Sequence, residues 1–225
     1  MRARKRIGVW TAIVALAAGC GHRAAPRVVA PSVFSYDASR PLRFEDHGRV
    51  NHRYPIAVRD VSFATPSGRV QAFLVVPPRR GRLAGVVYLH GSGGDRRELI
   101  VPATWLAARG AVALVLTAPS AVAPPRALAA LAQLRRQRRL AVADVVAVRR
   151  AVDVLRSLPN VDPKRIGFVG WSAGARTGAV VAGVEPRADA FVLMSAGASP
   201  VSAYVAQAPA RLIHLPVLFN TGDNR

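Results

Sequence analysis

From residue 56 onward the chain is built of short apolar runs punctuated by Gly, Pro, Asp and Arg. Two of them, residues 56–64 and 70–76, flank the turn Pro66-Ser67-Gly68 and predict a β-hairpin at the head of a sheet. Beyond the break Pro77-Pro78-Arg79-Arg80-Gly81, residues 83–89 are apolar throughout, the pattern of a strand buried on both faces. A glycine-rich loop follows, then a short helix over 103–108, opened by Pro102 and stopped by Gly110. Residues 111–116 read as a second buried strand. A loop holding Pro119, Pro124 and Pro125 leads into a long helix on which Val145, Val148, Val152 and Leu155 recur at helical spacing, until Pro159 ends it. The alternation then repeats with strand 166–169, helix 173–181, strand 190–194, a short helix near 202–208 and strand 216–219. This order predicts an α/β fold: a mostly parallel, doubly wound sheet covered on both sides and led by an N-terminal β-hairpin. Function in such sheets gathers at the carboxyl ends of the strands.

The first fifty residues break the pattern. Arg2, Arg4, Lys5 and Arg6 precede an uncharged, largely apolar run of twelve, residues 7–18, shorter than the roughly 20 residues a spanning helix needs. With Gly19 and Cys20 at its end, it predicts a secretory signal over residues 1–19. Leu16-Ala17-Ala18-Gly19-Cys20 resembles a bacterial lipoprotein signal, which implies lipidation of Cys20 as the mature N-terminus. In that pattern Ala17 stands where an aliphatic residue is usual, with Leu16 one place earlier. The alternative is a plain signal or anchor with a chance cysteine. Cys20 is the only cysteine, which excludes an internal disulfide. Residues 20–52, rich in Pro, Arg and polar positions, read as a tether, and residues 53–225 as one domain around a single core.

The net charge is +20 and nearly all arginine, since the lysines are Lys5 and Lys164. Cleavage before Cys20 removes four basic residues and no acidic one, leaving +16 beside an anionic envelope. The densest basic stretch, Arg135, Arg136, Arg138 and Arg139, lacks the interleaved aromatics that stack on bases and reads as a solvated helix face. Arginines scattered among Ala, Val, Gly and Pro reflect a biased composition rather than a nucleic-acid partner.

Gly170-Trp171-Ser172-Ala173-Gly174 matches G-x-S-x-G between a predicted strand and a predicted helix. There the glycines admit a sharp turn that lifts the Ser172 hydroxyl clear of the sheet as a nucleophile. His90-Gly91-Ser92-Gly93-Gly94 closes the 83–89 strand. Its small residues let backbone N–H groups, Ser92 first among them, join that of Ala173 in an oxyanion hole, while His90 and Gly91 brace the loop. Neither a G-x-x-x-x-G-K nor a G-x-G-x-x-G phosphate loop is present.

These motifs, with the lead-in Asn160-Val161-Asp162-Pro163-Lys164-Arg165-Ile166-Gly167, resemble the α/β-hydrolase superfamily over about residues 56–223. The resemblance is greatest to its dienelactone-hydrolase and acyl-peptidase-related branches. It implies hydrolysis of an ester, thioester, amide or lactone through an acyl-enzyme, with no metal or other cofactor. In this superfamily a carboxylate and then a histidine follow the serine along the chain. Asp223 is the candidate acid, although relatives often place it where Arg225 stands. A catalytic histidine, the last strand and the last helix are expected beyond Arg225, so the fold reads as C-terminally truncated. His22, His47 and His52 lie upstream of the core, and His214 precedes its strand, about 15 Å from the serine edge. The competing reading is an envelope binding protein that keeps the pocket without the chemistry. The expected partners are a small acyl substrate, the membrane through Cys20, and a second copy at an uncovered sheet edge.

Overall fold

Residues 83–89 and 111–116 lie side by side as parallel strands inside one sheet of a computed structural model, which describes residues 30–50, 54, 56–121, 130–196 and 217–220. In chain order the strands are β1 (Glu45–Arg49), β2 (Val58–Thr65), β3 (Gly68–Val75), β4 (Leu83–Leu89), β5 (Ala111–Leu116), β6 (Val161–Trp171), β7 (Ala190–Met194) and β8 (Val217–Asn220). The helices are α1 (Ile100–Ala108), α2 (Ala130–Ser157) and α3 (Ala173–Val184). Across the sheet the order is β1-β2-β3-β5-β4-β6-β7-β8. Pairing is antiparallel from β1 through β3 to β5, and parallel among β5, β4, β6, β7 and β8. The expected hairpin is β2–β3, closed at Thr65 opposite Gly68.

Side chains alternate across the pleat, so each inner strand feeds two cores. Val87, Leu89, Val112, Leu114 and Leu116 pack with α2, α3 and the start of the chain, including Val148, Val152, Leu155, Val181 and Phe34. Val86, Tyr88, Ala111, Ala113 and Val115 pack with α1 through Ile100, Ala103 and Ala107. Helices on both faces explain why β4 and β5 are apolar at nearly every position.

Helix α1 begins three residues before the expected start. Pro102 lies in its first turn, where backbone N–H groups have no intrahelical acceptor and a missing one costs nothing. Strand β6 begins at Val161, earlier than expected, because Val161 already pairs with Leu83 before a register shift brings Ile166 opposite Gly85. The expected short helix near 202–208 lies outside the described residues.

Ordered packing starts well before residue 53. Residues Pro31–Phe34 form a 3-10 turn whose Phe34 is fully buried, and β1 adds an edge strand to β2. Its sequence Glu45-Asp46-His47-Gly48-Arg49 is charged and largely exposed, with a register shift between Asp46 and Gly48. Ion pairs Asp46–Arg59 and Glu45–Arg69, and the 2.8 Å His47 Nε2–Ser62 Oγ hydrogen bond, hold it in place.

The leading segment is locked by a cluster of arginines and carboxylates. Glu185, just past α3, has a fully buried side chain that accepts from Arg187 Nε and Nη2, both at 2.6 Å, and from Arg149 Nε at 3.2 Å. Asp153 accepts from Arg187 at 2.5 Å and Arg150 at 2.9 Å, and Tyr36 Oη donates to the same carboxylate at 3.0 Å. Arg149 and Arg150 donate back to the carbonyl oxygens of Phe34 and Arg40. Burial alone raises the Glu185 carboxyl, but the Arg187 hydrogen bonds and charge, with Arg149 behind them, outweigh it and hold it below the usual range.

Candidate active site

The chain runs from β4 through α1 to β5, then returns through α2 across β4 to β6. This reversal makes the carboxyl ends of β4 and β6 a topological switch point, where open α/β sheets bind ligands. Both sequence motifs sit there, and Leu89 pairs directly with Gly170.

Ser172 occupies the sharp turn between β6 and α3 at φ 50°, ψ −108°, a positive φ that few non-glycine residues adopt. Its N–H donates to the Met194 carbonyl of β7 at 2.9 Å, and its carbonyl accepts from Arg176 N at 3.1 Å, so sheet and helix both hold the strained residue. The flanking glycines are required by close approach. A Cβ on Gly170 would lie 2.6 Å from the Gly174 backbone. One on Gly174 would press on the Leu89 carbonyl and lie 2.7 Å from that of His90.

The loop after β4 crosses directly in front of this turn. A Cβ on Gly91 would come 3.4 Å from Cβ of Ser172 and 3.4 Å from the Trp171 ring. His90 is 3% exposed, and both ring nitrogens meet backbone. Ala118 N–H donates to Nε2 at 2.9 Å, so Nδ1 carries the proton and donates to the Gly91 carbonyl at 2.6 Å. The Gly91 N–H donates to Glu98 Oε2 at 2.9 Å, and that of Gly94 donates to the Gly91 carbonyl at 3.3 Å. The N–H groups of Ser92 and Gly93 have no hydrogen-bond acceptor among the described residues.

A cavity of about 420 Å³ opens against the loop and the start of α3, with Ser92 and Ala173 in its wall. Gln137, Asp144 and Thr177 give it a polar side, and Leu140, Val145 and Val180 an apolar one. Asp144 on α2 is buried and accepts from Ser120 N–H at 2.9 Å, which fixes the turn next to Ala118. Burial pushes its carboxyl up to about 6, and the Ser120 hydrogen bonds pull down without reversing this. Arg135, Arg138 and Arg139 are exposed on α2, while Arg136 turns toward the cavity. Among the described residues no group of His, Cys, Asp and Glu could hold a metal ion.

Ser172, Ala173, His90, Gly91 and Ser92 therefore share one edge of the sheet. Asp223 and Cys20 lie outside the described residues. Of the two described histidines, His47 is on β1 with Nε2 at Ser62, and His90 is committed to backbone. Sequence reasoning missed Glu98 and Asp144. The only local signal was that Glu98 follows the glycine loop closely; Asp144 is one polar position on an otherwise apolar helix face.

The Ser172 turn, the loop after β4 and the cavity thus meet at one edge of the sheet. Similar architecture occurs in acetyl xylan esterase 1 from Thermoanaerobacterium sp. JW/SL YS485, at 16% identity and TM-score 0.65 over 83% of this chain and 74% of that one. An acetyl xylan esterase from Paenibacillus sp. R4 matches at 18% identity and TM-score 0.61, over 80% of this chain and 82% of that one. A cold-adapted esterase from an Arctic intertidal metagenomic library matches at 19% identity and TM-score 0.63, over 77% and 74%. No curated protein sequence matches the chain. The sequence model of the dienelactone hydrolase family matches residues 70–224, well over half of the chain and spanning both motifs. With that match, the chain belongs to the dienelactone hydrolase family.

Proposed function

We propose that the chain is a serine hydrolase that cleaves an ester, thioester, amide or lactone through an acyl-enzyme on Ser172. The observation that carries this reading is the strained Ser172 backbone at the switch point, with the Gly91 loop against it. Ser172 Oγ attacks the acyl carbon as its proton passes to a base. The carbonyl oxygen becomes an oxyanion, held by the N–H groups of Ala173 and Ser92. Collapse expels the alcohol, thiol or amine, which takes up a proton, and water releases the acyl group by the same steps in the second half. Because Glu98 occupies the Gly91 N–H, Ser92 is the better loop donor. The adjoining cavity of about 420 Å³ is roomy enough for the acyl or lactone portion of a small substrate.

Asp223 remains the proposed acid, and the base is the histidine that the family resemblance places after it along the chain. His90 cannot accept the Ser172 proton while Nε2 holds the Ala118 N–H. The same commitment favours the second reading, a binding protein that uses this pocket without turnover. A fluorophosphonate probe with peptide mapping separates the two. Labelling at Ser172 that is lost in Ser172→Ala supports the hydrolase, and no labelling even in a version with a restored C-terminus supports the binding protein.

Cys20 is proposed as a lipidated N-terminus that holds the domain on the periplasmic side of a bacterial envelope. The basic head and the apolar run before the only cysteine support this. Metabolic labelling with a fatty acid tests it: no label on wild type, or equal label on Cys20→Ser, rejects lipidation.

A further inference from the structure

The outward face of α1 is apolar where a solvated helix is usually polar. Val101 is 67% exposed and Trp105 57%, and Pro102 and Ala108 are exposed beside them. The spacing 101, 105, 108 puts these side chains in one stripe along the helix, opposite the buried Ile100, Ala103 and Ala107. A contiguous exposed stripe of this kind on a charged protein marks a contact surface.

Cations gather at the C-terminal end of the stripe. Arg109 closes the helix with its guanidinium 3.4 Å above the Trp105 ring and Nη1 donating to the Trp105 carbonyl at 3.1 Å. Arg79 reaches the same end, since a Cβ on Gly110 would lie 3.1 Å from its Nη1. Strands β4 and β5 are parallel, so the exposed Arg80 and Arg82 just before β4 share the edge at which α1 ends. Arg97, 70% exposed, stands before the other end. Against these five arginines stand Asp95, paired to Arg97, and Glu98, bound to the Gly91 N–H.

We propose that this face of α1 is a docking surface for an anionic lipid bilayer, with Val101 and Trp105 inserted at the headgroup level and the arginines over lipid phosphates. Tryptophan favours that depth because its ring is amphipathic. Arginine can bury its stem and leave its charge at the phosphates. Helix α1 has nine residues, fewer than the roughly 20 a spanning helix needs, so this contact lies at the bilayer surface. It needs neither lipid on Cys20 nor chemistry at Ser172, and the test removes the first and does not measure the second.

Among the described residues the two cores lie between Phe34 and Ala196, so the test uses residues 20–225 with Cys20→Ser, which retain both cores without the apolar leader. This protein should co-sediment with vesicles of phosphatidylcholine and phosphatidylglycerol, and at least tenfold less with pure phosphatidylcholine. Val101→Ser/Trp105→Ser should weaken partitioning into anionic vesicles by about 10- to 100-fold. Arg79→Gln and Arg109→Gln should each cost about fivefold. Leu131→Ser, at an exposed apolar position on α2, should change nothing. Brominated phosphatidylglycerol should quench emission of the wild type more than that of Trp105→Phe, a comparison that does not depend on the stability of the double variant. Equal binding by the double variant, equal binding to neutral vesicles, or equal quenching in Trp105→Phe overturns the proposal. So does a concentration-dependent dimer that the double variant abolishes while neither form binds vesicles, which would assign the face to a second copy.

Discussion

Replacing Glu185 with Gln keeps the side-chain volume and removes one charge from the cluster that anchors residues 34–40. In the wild type the carboxylate receives Arg187 N–H at 3.1 Å, Arg187 Nε and Nη2 at 2.6 Å, and Arg149 Nε at 3.2 Å, with its side chain fully buried. A glutamine presents one oxygen and one NH2 group, so at least one guanidinium donor faces another donor. Breaking a buried pair from one side typically costs about 3–5 kcal/mol, because the remaining charge stays poorly compensated. Arg187 is partly exposed and keeps Asp153, which places the expected loss near 3 kcal/mol. That is a large part of the roughly 5–15 kcal/mol of a typical domain, and it should lower Tm by about 6–12 °C in a domain of this size. The wild-type carboxyl is held below its ordinary range, so its contribution is present above the unfolded pKa and is lost as pH falls through the folded one. Urea unfolding followed by far-UV circular dichroism should therefore show a gap between wild type and Glu185→Gln that is full at pH 7 and closes toward pH 3. A loss below about 1 kcal/mol at pH 7, or a gap that does not depend on pH, would refute the assignment of this cluster as a buried charged lock.

Asp144→Asn should shift stability with the opposite sign. The native carboxyl is raised to about 6, so its ionisation costs stability as pH rises from the unfolded value through 6. Relative to wild type, the variant should gain up to about 3 kcal/mol between pH 4 and pH 7. An unchanged difference over that range in the same urea assay would count against it. Gly174→Ala should lower the melting temperature and abolish fluorophosphonate labelling, since the new Cβ meets backbone oxygens of Leu89 and His90. Normal labelling would show that the turn can yield. Glu98→Ala should slow labelling of Ser172 by about tenfold or more with little change in stability, because it frees the Gly91 N–H and loosens the loop. An unchanged labelling rate would remove Glu98 from the positioning of that loop.

The central strands could be read from sequence because burial on both faces leaves an unbroken apolar run, as in β4 and β5. The Ser172 turn was legible for a related reason: close backbone approach demands glycine at fixed offsets. Strand β1 was not, since an edge strand gains no second buried face and its charged residues protect the edge instead. Phe34 stands beside an equally apolar Val33 that is half exposed, and only the packed α2 and β2 around it reveal which of the two enters the core. Glu98 and Asp144 act through contacts set by loop paths that no local period records. Asp223 and Cys20 still rest on pattern alone.

The two kinds of crowding at glycines on α3 differ in what later change can repair them. At Gly178 a new Cβ would meet side-chain carbons of Phe168 and Leu193, the latter at 2.6 Å. Smaller residues at both partners can therefore restore the space. At Gly174 the obstruction is the main chain of Leu89 and His90, which every residue carries, so trimming a neighbouring side chain cannot relieve it. Random mutagenesis with selection for activity should return second-site suppressors of Gly178→Ala and none of Gly174→Ala. The serine turn is thus a position from which this fold cannot drift by compensated steps.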